Sequence, residues 1–155
     1  MTIEHRIEAF DKRLARMMRQ SGIPFLRFSL AIVFIWFGAL KIIGYSPAVE
    51  LVTRTVYIVD PSWFVPFLGW WEVAIGVCFL NRTYLRLGIA LLAPQMVGTF
   101  LPLLLLPEVT FQAGNMFLPT LEGQYIIKNL VIIGAALAVG ATVRDHHEHG
   151  RKAHA

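Results

Sequence analysis

The informative polar side chains inside or at the edge of otherwise apolar stretches are Lys41, Glu72, Gln95, Glu122, Gln124, Lys128 and Asn129. An ionisable group in hydrocarbon costs at least about 2.5 kcal/mol on insertion scales, so it normally faces a protein interior and a partner. A carboxylate and two amines in that setting can do two things. They can form a buried ion pair that fixes which helices are neighbours. They can also line a small cavity that binds a polar headgroup or relays protons. Glu72 falls near the middle of its apolar stretch, with Lys41 and Lys128 roughly 10 Å outward at about 1.5 Å per helical residue. The expectation is that Glu72 pairs with Lys41, Lys128 or both. Trp36, Trp70 and Trp71 lie in the same stretches. They could wall an apolar site, although packing or interfacial anchoring is the ordinary use of such rings.

No histidine lies in these apolar stretches, and Cys78 is the one cysteine. Neither haem nor an iron–sulfur cluster is therefore expected, since the spans offer no ligand set for them. Any redox role would run through a diffusible cofactor, with a quinone as the candidate, or through a membrane redox partner subunit. His146, His147 and His149 form a histidine-rich tail that is a weak metal candidate by composition. A solvated tail is its ordinary reading, because a flexible segment fixes ligand geometry poorly.

The elements that must position these residues follow from composition. The 155 residues are 56% hydrophobic and only 15% charged, with a mean hydropathy of +0.59. The apolar residues come in blocks rather than at amphipathic spacing, and a span needs about 20 of them. Four spans are predicted, at about 24–43, 63–80, 87–106 and 123–143. A stretch over 47–59 is too short and too charged to cross, and reads as an interfacial helix. Residues 1–22 carry Ile3, Ile7, Phe10, Leu14 and Met17 at steps of four and three, with Arg6, Lys12, Arg13, Arg16 and Arg19 around them. That is a basic amphipathic cytoplasmic arm suited to an anionic leaflet. Residues 144–155 form the tail, and 23–143 the membrane domain.

The fold class predicted is an all-α integral membrane protein, an antiparallel four-transmembrane-helix bundle with an N-terminal amphipathic interfacial helix. With the N-terminus inside, eleven of the 14 Lys and Arg residues fall on the inner side; Lys41, Arg54 and Lys128 do not. That bias places both termini in the cytoplasm. The formal charge of +4 is then a topogenic signal, and nucleic acid is not expected as a partner. Small residues, among them Gly69, Gly76, Gly88, Gly98, Gly134, Ala138 and Gly140, offer close helix contacts. They serve packing within the bundle, or a homo-oligomer seam.

Three segments carry a family resemblance. The first span closes with Phe37-Gly38-Ala39-Leu40-Lys41-Ile42-Ile43-Gly44-Tyr45, and the second holds Gly69-Trp70-Trp71-Glu72-Val73-Ala74-Ile75-Gly76. The fourth opens with Glu122-Gly123-Gln124-Tyr125-Ile126-Ile127-Lys128-Asn129-Leu130. Together they resemble the DoxX-like superfamily, and within it the YkgB/RclC type of bacterial inner-membrane protein linked to reactive-chlorine resistance. The resemblance implies a four-helix membrane fold and a place in redox homeostasis or oxidant-stress resistance. It carries over no agreed catalytic residue, and neither the basic arm nor the histidine tail belongs to the shared pattern. The expected function is an inner-membrane protein whose outward-facing polar cluster binds a quinone-like ligand. The alternative is a non-enzymatic scaffold or assembly subunit of a membrane complex. A small transporter is disfavoured, because the chain lacks inverted repeats and paired broken helices.

Overall fold

A long apolar stretch satisfies its own backbone in hydrocarbon only as a helix or a closed barrel, and here the apolar blocks form helices. The computed structural model describes the backbone of residues 3–152 and the side chains of residues 7, 8 and 10–142. The elements are α1 (Ile3–Ile42), α2 (Val49–Thr55), α3 (Pro61–Leu80), α4 (Leu85–Leu105), α5 (Pro107–Thr110), α6 (Leu121–Ile127) and α7 (Asn129–Lys152). Short 3₁₀ turns occupy Arg82–Tyr84 and Gln112–Gly114. Among the described residues there is no strand, only an isolated bridge between Phe111 and Pro119. Four helical stretches are long and apolar enough to cross a membrane: Phe10–Ile42, Pro61–Leu80, Arg82–Leu105 and Leu121–Thr142.

Local chemistry accounts for the boundaries. Gly44, at φ 77°, takes the left-handed conformation that ends α1, where a Cβ would be strained. The Asp60 carboxylate accepts the Ser62 amide at 2.9 Å and caps α3, with Pro61 at the first helical position. That backbone hydrogen bond holds the Asp60 carboxyl below its ordinary pKa. Asn81 repeats the device, accepting the Thr83 amide at 2.9 Å in the turn between α3 and α4.

One element differs from the sequence expectation. The arm over 1–22 and the span beginning at 24 are not separate pieces but one continuous helix of 40 residues that runs through Pro24. The proline leaves the Gln20 carbonyl without its intrahelical donor. Gln20 is exposed, so the carbonyl has access to an outside donor and the helix continues. The expected fourth span is one helical stretch, Leu121–Thr142, in which only Lys128, still at helical dihedrals (φ −56°, ψ −22°), separates α6 from α7. There the Asn129 amide turns back on the Tyr125 and Ile126 carbonyls at 2.9 and 3.0 Å, competing with the backbone ladder.

The core joins four helices. Leu30, Ala31 and Phe34 of α1 meet Ile75 and Phe79 of α3, Leu85, Leu92 and Met96 of α4, and Ala135, Ala136 and Val139 of α7. The closest of these contacts is between α1 and α3. A Cβ on Gly38 would sit 2.5 Å from the Gly69 carbonyl, and one on Gly69 would sit 2.7 Å from the Gly38 carbonyl. Absent side chains at both positions let the two backbones touch. Much of the outward surface is large and apolar, including Phe25, Phe28, Trp36, Phe67, Val97 and Leu104. Water would penalise so much exposed apolar area, whereas lipid would not.

Candidate functional site

Gly69 also makes the site possible. The Lys41 Cβ lies 3.0 Å from where a Gly69 Cβ would be. The lysine therefore runs along the bare side of α3 for one turn and reaches Glu72. Lys41 Nζ donates to Glu72 Oε2 at 2.7 Å, with each side chain only 8% exposed. From α4, Gln95 Nε2 donates to the other carboxylate oxygen, Glu72 Oε1, at 2.8 Å. One carboxylate thus joins α1, α3 and α4 through two charge-assisted bonds, one from an ammonium and one from an amide, in surroundings where both are stronger than in water.

The adjoining residue of α3 extends the contact. Trp71 Nε1 donates to the Leu91 carbonyl at 3.1 Å, one turn before Gln95 on the same face of α4. One turn further on, Thr99 Oγ1 donates to the Gln95 carbonyl at 2.8 Å. Pro94 lies inside this run and supplies no amide, so the Ala90 carbonyl lacks its intrahelical donor. The sequence reading gave Trp71 an apolar wall, packing or interfacial anchoring, and not a hydrogen bond to the backbone of α4.

The structure does not gather the remaining candidates. Lys128 is exposed, and its ammonium lies 4.8 Å from the Tyr125 ring centroid on its own helix. Among the described residues it makes no contact with Glu72. Glu122 is exposed in the first turn of α6. Asn129 serves the α6–α7 junction. Trp36 and Trp70 are each 62% exposed on the outer surface of the bundle. His146, His147 and His149 lie outside the residues whose side chains are described. No group of three or more metal-ligating side chains occurs among the described residues.

The loop between α4 and α6 is closed on itself. The Thr120 amide donates to the Thr110 carbonyl at 3.0 Å and Thr120 Oγ1 to the Val109 carbonyl at 2.7 Å. The Gly123 α-carbon packs against the Thr110 carbonyl with no room for a side chain. This tie holds the far ends of α4 and α6 together, above the level of the cluster.

No family model, curated protein or solved structure matches the chain.

Proposed function

We propose that the chain is a multi-pass inner-membrane protein of the DoxX-like kind, serving redox homeostasis or oxidant-stress resistance. In this reading the Lys41–Glu72–Gln95 cluster takes the carbonyl-bearing headgroup of a quinone-like ligand. The observation that carries it is hydrogen-bonding capacity left over in the cluster. Lys41 has three donors and gives one to Glu72; Gln95 has two and gives one. Gln95 Oε1 accepts no hydrogen bond among the described residues, yet no buried side-chain N or O there is an orphan. That oxygen therefore keeps a little accessible surface. A ligand carbonyl would take the free lysine and amide protons, while Glu72 holds both donors in place and can accept or return a proton.

The topology proposed with it is an antiparallel bundle with both termini in the cytoplasm. Supporting this, Gly38 of α1 meets Gly69 of α3, while Ala31, earlier in α1, meets Gly76, later in α3. In this reading α1 bends in the bilayer at Pro24, which supplies no amide to the ladder, and its first turns lie on the cytoplasmic leaflet as an amphipathic helix, with the bilayer as their partner. Ile7, Phe10 and Met17 are exposed and unpacked there, among exposed Lys12, Arg13, Arg16 and Arg19.

Binding of a short-chain quinone to the purified protein, followed by tryptophan fluorescence, tests the function. The wild type should saturate, and Glu72→Gln should bind at least about tenfold more weakly, as expected for losing one charge-assisted hydrogen bond. A folded wild type that shows no saturable binding would remove the quinone-like ligand from the reading. A second reading, a non-enzymatic subunit of a membrane complex, is favoured by the exposed Trp36, Phe37 and Trp70, a surface on which another membrane subunit, or a second copy, could seat. Recovery of a stoichiometric membrane partner in mild detergent, with no bound quinone, would select it.

A further inference from the structure

The face of α4 opposite Gln95 carries a second feature. Between α4 and α7 runs a groove of about 560 Å³, lined only by apolar side chains. Ala93, Val97, Phe100 and Leu104 form its α4 wall, and Ile133 and Leu137 stand on α7. A hollow of that size belongs with small-ligand sites, which run to about 300–1,000 Å³. A stable protein interface needs about 800 Å² per partner, more than a slot one chain wide can offer. From Ile89 to Leu104 the groove follows about 22 Å of helix at 1.5 Å per residue. That is enough for one extended hydrocarbon chain, since a leaflet fills about 15 Å of a core about 30 Å thick.

Arg86 stands about one turn before Ile89, the first α4 residue of the groove. Arg86 precedes Ala93, Val97, Phe100 and Leu104 by seven, eleven, fourteen and eighteen residues. At 3.6 residues per turn, all four share its face of the helix. Gln95, nine residues on, lies half a turn away on the opposite face. Arg86 is exposed and forms no ion pair among the described residues. It sits where α4 leaves the short turn after α3, at the level expected for headgroups.

We propose that this face of α4 binds one anionic phospholipid, its phosphate on the Arg86 guanidinium and one acyl chain in the groove. Apolar walls select a hydrocarbon chain, and the planar guanidinium at the mouth selects a phosphate, which it can bind in a bidentate manner. The proposal rests on the membrane-spanning part of the reading above and not on the quinone part. The two sites occupy opposite faces of α4, so either can fail alone.

Delipidated full-length protein in mild detergent, titrated with phosphatidylglycerol and with phosphatidylcholine of matched chains, tests it by native mass spectrometry. The wild type should hold one phosphatidylglycerol per chain at least about tenfold more tightly than phosphatidylcholine. Arg86→Gln should abolish that preference, and Arg86→Lys should keep part of it. Ala93→Phe, which fills the groove at an exposed position, should lower the occupancy of both lipids; an unchanged thermal unfolding profile verifies the fold. Equal affinity of the wild type for the two lipids, or undiminished occupancy in Ala93→Phe, overturns the proposal. A neutral isoprenoid recovered from the groove in place of a phospholipid overturns it as well.

Discussion

Glu72 takes one hydrogen bond on each of its oxygens, from two different helices, and this dictates how the site should respond to mutation. Removing one member of a buried pair strands the other, at a cost of roughly 3–5 kcal/mol. Glu72→Ala or Lys41→Ala should each lower the unfolding free energy by about that amount. Replacing the whole cluster with apolar residues of similar volume, Lys41→Met with Glu72→Leu and Gln95→Leu, strands nothing. The triple variant should be about as stable as the wild type, or more so, while losing ligand binding. Equilibrium unfolding in mixed detergent measures both. If the triple variant proved less stable than either alanine variant, the cluster would contribute net stability rather than specificity.

At the scale of elements, the close approach of α1 and α3 decides what Lys41 can reach. The contact depends on two glycines whose carbonyls face each other's missing side chains. Gly38→Leu must push the helices apart and so part Lys41 from Glu72. We expect it to lower stability by several kcal/mol, of the order seen for overpacking at about 1–3 kcal/mol plus loss of the ion pair. Gly134 of α7 is the control, since a Cβ there meets nothing within 4 Å. Gly134→Ala should be neutral or stabilise by about 0.5–1 kcal/mol through helix propensity. Comparing the unfolding midpoints of the two variants checks both expectations. The pair also shows what small-residue spacing conveys in a sequence. Gly38 and Gly134 look alike there, and only the neighbouring backbone distinguishes a contact from an open face.

At the scale of the whole molecule, the distribution of lysine and arginine sets an orientation that can be measured. In a Cys78→Ala background, Asn115→Cys in the loop between α5 and α6 should react with a membrane-impermeant maleimide on intact cells. Thr83→Cys, in the turn between α3 and α4, should react only after permeabilisation. The opposite pattern would invert the topology, and with it the side from which the Lys41–Glu72–Gln95 cluster is approached.

How much of this could be read without coordinates depends on the range of the forces involved. Helical stretches long and apolar enough to cross a membrane were legible, because hydrocarbon length and backbone hydrogen bonding act on contiguous residues. It was also legible that a carboxylate at position 72 needs a partner, because solvation penalises a lone charge wherever the chain goes. Which lysine would answer it was not. Lys41 and Lys128 are equivalent in type and in depth along their spans. The choice between them was made by Gly69, which clears a path for Lys41, while Lys128 is exposed and lies over the Tyr125 ring. The arm and the first span merge into one helix for a related reason: a proline next to an exposed carbonyl does not have to end a helix. Local chemistry thus determined what each segment is and what each charged residue requires, while the choice of partner depended on backbone distances between segments far apart in the chain, which exist only once the helices are packed.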